Sequence, residues 1–268
     1  MDDKNRKNNL AGGVDVLIEA IEGLGNIKVD LNAPSEPIDI VQMRKHEAYL
    51  ASQEIAASKI AKRRNYVDKL HNQGAVNPLW TFSNLTKDSA NQKAFTTAQG
   101  FCMSLDITDN EPLLFLVSGG PGTGKTCLCH AVANSVLEKS SSRHIFIVNY
   151  DNLKKTRLFM AHENSDVTAE KQQEWERYCS VDLLLLDGLC ANNEGLTVFD
   201  QKILSELLRI RFVKGLDMMI TTPVNFMQLH QAIGDTCFES IREYSVISAM
   251  ILGQSRRRPL IVDGVPIP

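Results

Sequence analysis

Short unbroken apolar runs alternate along this chain with longer stretches in which apolar residues recur every third or fourth position. Leu113-Leu114-Phe115-Leu116-Val117, His144-Ile145-Phe146-Ile147-Val148-Asn149, Asp182-Leu183-Leu184-Leu185-Leu186-Asp187 and Asp217-Met218-Met219-Ile220-Thr221-Thr222 are of the first kind and predict buried strands. Val246 to Leu252 predicts a fifth. Cys127 to Leu137, the polar stretch from Asp151 to Cys179, and Val198 to Val213 are helical by the same reading. Asp88 or Ser89 is placed to cap a further helix running to Leu105. Strands that alternate with helices predict an α/β fold, a mainly parallel sheet with helices on both faces.

The N-terminal part reads differently. Residues 1–12 are polar enough to be disordered, Val14 to Ile21 suits a short helix ended by Gly23 and Gly25, and Asn32-Ala33-Pro34-Ser35-Glu36-Pro37 has the composition of a linker. Ile38 to Gln73 holds no Gly or Pro, and Gly74 stands where a helix terminates. That predicts a helix of ~30 residues, roughly 45–50 Å long. Between Val41 and Gln73 it carries seven Lys or Arg against three Asp or Glu, with Lys62-Arg63-Arg64 clustered near its end. Its apolar stripe (Ile55, Ile60, Val67, Leu70) is too broken for a regular coiled coil. A solvated helix with one docked face and a helix that faces a partner or nucleic acid both fit. The expected division is a helical N-terminal region over 1–76, partner-binding and partly disordered, and a compact domain over 77–268.

Composition narrows the class only a little. A net charge of −3 excludes wholesale coating of nucleic acid, so any such contact comes from local patches. No apolar run approaches the ~20 residues that cross a bilayer, and no signal-peptide core follows the polar start, so the expectation is a cytoplasmic protein without membrane contact. The six cysteines are scattered and mostly inside apolar segments, which reads as buried free thiols.

The chemistry is concentrated at Gly119-Gly120-Pro121-Gly122-Thr123-Gly124-Lys125-Thr126, which fits the phosphate-loop pattern G-x-x-x-x-G-K-[ST] between a strand and a helix. Glycines admit phosphate oxygens close to the backbone, and the helix N-terminus aims amide N–H groups at the same anion. Lys125 would neutralise the β- and γ-phosphates of a nucleoside triphosphate, and the Thr126 hydroxyl would help hold Mg2+. Asp187, at the end of its apolar strand, has the form of a Walker B carboxylate that completes the Mg2+ shell beside Thr126. The candidate nucleotide set thus runs from Gly119 through Thr126 to Cys127, with Thr126 and Asp187 as the metal pair.

From about Lys62 onward the chain resembles the DnaC/IstB-type AAA+ ATPases, especially phage-type loaders of the replicative helicase. The residues that carry the likeness are the basic helix running into Gly74, Leu79-Trp80-Thr81-Phe82, Gln92-Lys93-Ala94, the loop from Ser118 to Thr126, Val181 to Asp187, Leu208-Arg209-Ile210-Arg211-Phe212, Ile220-Thr221-Thr222 and Ile233-Gly234-Asp235. The resemblance implies an AAA+ P-loop three-layer sandwich, ATP and Mg2+ as ligands, a replicative helicase and single-stranded DNA as partners, and self-association through the AAA+ domain. It also implies that Lys154, Lys155 and Arg157 occupy the place of a DNA-contacting helix, and that Arg211 or Arg242 of a neighbouring subunit reaches the γ-phosphate.

Departures from the family pattern bear on turnover. The acid that usually follows the Walker B Asp is replaced by Gly188, the sensor Asn falls near Pro223 with Asn225 two residues late, and the arginine finger falls near Ser240 with Arg242 the nearest substitute. Glu194 could fold back in place of the missing acid, and Arg256, Arg257 and Arg258 are candidates for the family's second sensor, which makes Arg257 an expected phosphate ligand. Lys125, Asp187 and Arg242 therefore stand as the candidate catalytic set of a switch with feeble hydrolysis. An IstB-like helper of a transposase, a helicase-binding module that inhibits rather than loads, and a small-molecule kinase are the competing readings.

Overall fold

A computed structural model of the chain describes residues 40–105, 107, 111–139, 142–160, 165–192, 194–262 and 265–267. The expected disorder of 1–12, the short helix Val14–Ile21 and the linker before residue 38 lie outside these. The chain divides into two compact units, 1–56 and 57–268. In the first, residues 40–56 are helical and every one of them is exposed, including Ile40, Val41, Met43, Tyr49, Leu50 and Ile55.

Helix α1 (Ile40–Asn72) ends in the second unit, where α2 (Gln92–Ser104), β1 (Leu113–Gly119), α3 (Lys125–Lys139), β2 (Ile145–Asn149), α4 (Tyr150–Phe159) and α5 (Ser165–Tyr178) follow. Then come β3 (Leu183–Asp187), α6 (Val198–Val213), β4 (Asp217–Thr222), α7 (Phe226–Ile233), α8 (Asp235–Arg242), β5 (Ser245–Ile251) and a small antiparallel pair, β6 (Leu260–Val262) and β7 (Val265–Ile267). The main sheet has five strands in the order β2-β3-β4-β1-β5, every pairing parallel. The expected α/β fold is therefore the observed one.

Alternation along the strands splits the core in two. Leu114, Leu116, Leu184, Leu186, Met218 and Ile220 face α4 to α8. Leu113, Phe115, Val117, Leu183, Leu185 and Met219 face α2, α3 and the end of α1. Strands covered on both faces need apolar residues at consecutive positions, which is why β1, β3 and β4 read as unbroken runs. Leu70 and Val76 join the second layer, so the last turns of α1 are packed rather than solvated.

Local caps fix the helix starts. Thr197 and Asp200 form a reciprocal capping box at α6, and Asn149 caps α4 by accepting from the Asp151 N–H. Asp88 works one turn earlier than expected: its carboxylate accepts from the Ala90 and Asn91 N–H groups, and the helix begins only at Gln92. Arg211 is fully buried, donating to the Tyr178 carbonyl (2.7 Å) and the Asp217 carbonyl (2.6 Å). Burial lowers its pKa to about 10, against the raising influence of Tyr244. A guanidinium enclosed in this way binds α6 to the end of α5 and the start of β4 and cannot reach a neighbouring subunit, which corrects the expectation that Arg211 acts there.

Candidate nucleotide site

Parallel strands put their carboxyl ends on one edge, and the candidate residues gather there. β1 delivers the phosphate loop, β3 ends at Asp187, and β4, which lies between them, ends at Thr221 and Thr222. The Thr126 hydroxyl donates to Asp187 Oδ1 at 2.9 Å. The Thr221 hydroxyl donates to the same oxygen at 2.6 Å and accepts from the Gly188 N–H at 2.9 Å. Thr126 and Asp187 together offer hard oxygen donors of the kind magnesium takes beside substrate phosphates. They fit that ion.

Lys125 is folded into the loop, its Nζ donating to the carbonyls of Gly119 (2.7 Å) and Gly120 (2.9 Å). Burial holds this ammonium below the usual lysine value, while Asp187 acts in the other direction. Thr123 closes the turn by donating from Oγ1 to the Gly120 carbonyl. Gly122 has a φ of 75°, and a Cβ there would run into Ser255. The glycine is thus required by both backbone and neighbour.

That neighbour belongs to the segment following β5. The Arg256 N–H donates to the Gly122 carbonyl (2.9 Å), its Nε to the Thr123 carbonyl (3.1 Å), and its guanidinium pairs with Asp88 at 2.7 Å. Arg257, the expected phosphate ligand, lines the same cleft. Arg256 braces the loop from behind, a role the sequence does not announce because its partners are backbone carbonyls.

The cleft has a volume of about 1000 Å³. Its lining joins Gly122 to Cys127, Asp187, Gly188 and Thr221 to a second group, Leu79, Trp80, Asn84, Leu85, Thr86 and Phe95, and Trp80 stands against His130, further along α3 from Lys125, which sets the two groups apart. Asp187 is the only carboxylate among its described lining residues, against Lys125, Arg256 and Arg257. An excess of positive charge at one end and apolar rings at the other suit a phosphorylated ligand with a flat base.

Residues expected to drive cleavage stand elsewhere. Pro223 lines the cleft without a polar group. Asn225 spends its side-chain oxygen on the Met227 N–H as the cap of α7. Glu194 is exposed and absent from the described cleft lining. Ser240 is buried and bonded to the Thr236 carbonyl, whereas Arg242 is exposed on α8 and paired with Glu239. Gly188 has a φ of 80°, a conformation side chains resist. Lys154 pairs with Asp200, and Arg157 pairs with Glu206 while lying 4.7 Å over the Trp175 ring. Two of the three basic residues expected to track DNA are therefore neutralised within the fold. Thr221 enters the sequence reading only within Ile220-Thr221-Thr222, and its bonds to Asp187 and Gly188 are not foreseen there. Its polar side chain on a wholly buried strand is the available signal.

These features define an α/β domain with a P-loop site at the carboxyl edge of its parallel sheet. Residues 76–194 match the family model described as the bacterial DnaA ATPase domain. The chromosomal replication initiator protein DnaA of Onion yellows phytoplasma (strain OY-M) is 30% identical over 121 residues, 44% of this chain and 22% of that protein. The chain thus spans about a fifth of the length of that curated relative. Among solved structures, "Replication initiator DnaA bound to AMPPCP and single-stranded DNA" superposes with a TM-score of 0.53 at 16% identity, over 68% of this chain and 53% of that one. "Crystal structure of the DnaC helicase loader" gives 0.51 at 19% identity, over 63% of this chain and 95% of that one. The resemblance to DnaC/IstB-type AAA+ proteins, read first from the motifs, is borne out, and the relatives named above are proteins of DNA replication.

Proposed function

We propose that this chain is a cytoplasmic, ATP-binding DNA replication protein that delivers a replicative helicase to single-stranded DNA, using nucleotide mainly as a switch. The observation that carries the reading is the bonded set Thr126–Asp187–Thr221–Gly188 at the mouth of the phosphate loop. Its groups would grip phosphate and metal, and Gly188, without a side chain, follows Asp187 where the family pattern has a water-activating acid. Magnesium, when bound, neutralises charge building on the β- and γ-oxygens. Thr126 and Asp187 would hold it, Lys125 would turn from its own loop carbonyls to the phosphates, and Arg257 would approach the same charge. Arg242, exposed on α8, is the residue to offer to a neighbouring subunit.

Loss of one stabilising donor costs ~10²–10³ in rate, and loss of an arginine finger ~10³–10⁵. Turnover in the isolated chain should accordingly be very slow. Helicase delivery is favoured over an initiator role because the superposition takes in 95% of the solved DnaC helicase loader chain but 53% of the solved DnaA chain. A ligand moves assembly only through its differential affinity for two states, so ATP binding and release suffice for such a role.

The test is Mg-ATP binding by calorimetry and phosphate release on one preparation, with and without single-stranded DNA and helicase. Binding abolished by Lys125→Ala, slow turnover and ATP-dependent assembly with helicase are expected. Turnover on the scale of working AAA+ enzymes would overturn the switch, and ATP-independent assembly would overturn the gating. Blocked rather than stimulated loading would make the protein an inhibitor.

A further inference from the structure

The base end of the cleft is held by the same helix that holds the phosphate end. Trp80 and Leu79 form that wall, and the segment Asn77–Trp80 carrying them is bonded to α3. Asn134, on the third turn of α3 and 4% exposed, donates from Nδ2 to the carbonyls of Asn77 (2.8 Å) and Trp80 (2.9 Å). Its Oδ1 meets His71 Nε2 at 3.0 Å, in the last turn of α1. One turn earlier, His130 Nδ1 accepts from the Asn77 N–H at 3.0 Å, and its ring stands edge-on to the Trp80 indole with centroids 4.9 Å apart. Burial lowers the His130 pKa, which suits a ring nitrogen that must stay an acceptor. Within the turn, the Leu79 N–H donates to Asn77 Oδ1, and Asn84 donates to the Leu79 carbonyl.

We infer that Asn134 and His130 are positioning residues for the nucleobase, setting the Leu79–Trp80 wall at a fixed distance from the phosphate loop. Neither touches the ligand. Both lie on the helix that starts at Lys125, so α3 acts as a spacer between the triphosphate grip and the base wall. An Asn amide suits the place because it gives two donors and one acceptor at once, and all are used. A Leu or Met of similar volume would pack there but leave the Asn77 and Trp80 carbonyls without that donor. The inference rests on the cleft being a nucleotide site.

The experiment compares Mg-ATP with magnesium tripolyphosphate, which keeps the phosphates and lacks the base. The full chain carries Trp175→Phe, so that Trp80 is the only tryptophan emitter. Asn134→Ala and His130→Phe should each weaken ATP about tenfold while leaving tripolyphosphate within about twofold, with the ATP-induced change in Trp80 emission reduced. His130→Phe keeps the ring contact and removes only the acceptor, and it carries the test should Asn134→Ala fail to fold. Equal weakening of both ligands, or no change in either, would overturn the inference. So would a parent chain that binds tripolyphosphate as tightly as ATP. A parent that binds neither overturns the nucleotide reading itself, a result distinct from these.

Discussion

Replacing Gly188 tests the reading of turnover through the backbone. The residue has a φ of 80°. Its N–H is held by the Thr221 hydroxyl, and the next N–H, of Leu189, by the Thr221 carbonyl, each at 2.9 Å. Relaxation to a negative φ would swing the Leu189 N–H away from its partner. Space is not the obstacle, since an added Cβ would meet Asn149 Nδ2 at 3.6 Å and Ala191 Cβ at 3.8 Å, ordinary contacts. The penalty is therefore conformational, about 1–2 kcal/mol for an L-residue in the left-handed region. At a negative φ the same Gly→Ala change would instead stabilise by about 0.4–1 kcal/mol, so the sign of the effect decides. For a domain of this size, Gly188→Ala should lower Tm by about 2–8 °C, and Gly188→Asn by less because Asn tolerates this region. Gly188→Glu, which restores the acid usual in the family, should lose as much as Ala. It should gain no turnover, because Pro223 and Ser240 still stand where the sensor Asn and the arginine finger of the family pattern fall. Thermal unfolding of the four proteins and phosphate release with Mg-ATP make the measurement. An alanine variant as stable as the parent, or a glutamate variant that hydrolyses ATP, would refute the reasoning.

Two further changes separate the site from its supports. Thr221→Val keeps the shape of β4 but removes a donor to Asp187 and an acceptor for Gly188; it should cost about 1–3 kcal/mol and weaken the magnesium-dependent part of ATP affinity. Chemical denaturation and titrations with and without magnesium check it, and unchanged magnesium dependence would count against the role given to Thr221. Arg211→Met should cost about 2–4 kcal/mol by freeing two buried carbonyls, with ATP-dependent assembly otherwise intact. A stable variant that had lost assembly would mean that Arg211 works between subunits after all.

Strands and loop were legible because both depend on local pattern. β1, β3 and β4 are apolar at successive positions since helices cover both faces, and α6 matches its predicted span because Thr197 and Asp200 write its start into the sequence. The phosphate loop is likewise a contiguous string. What stayed hidden depends on partners distant in the chain. Nothing near Arg211 announces that carbonyls 6 and 33 residues away enclose it. Lys154 and Arg157 look like free surface charge until Asp200 and Glu206 arrive on α6. Thr221 gains its meaning only from Asp187, 34 positions earlier. Gly188 reads as a missing acid, and the structure adds that its backbone disfavours a replacement.

The position of β4 has a consequence for how the site comes into being. It is made after β1 and β3 and then slots between them. Until it does, nothing spaces the loop that ends β1 from the carboxylate that ends β3, although Thr126 and Asp187 have both already been synthesised. The stretch that matches the DnaA family model, 76–194, contains both motifs and stops before that strand. A nascent or truncated chain of that length would therefore spell out the ligand-gripping residues without being able to use them. Domains generally fold as units during synthesis, and here the site is complete only when that middle strand is in place and the Arg256–Arg257 segment after β5 has followed. Ligand can then stabilise only chains that have completed the central sheet, so retention by nucleotide would also sort finished molecules from unfinished ones.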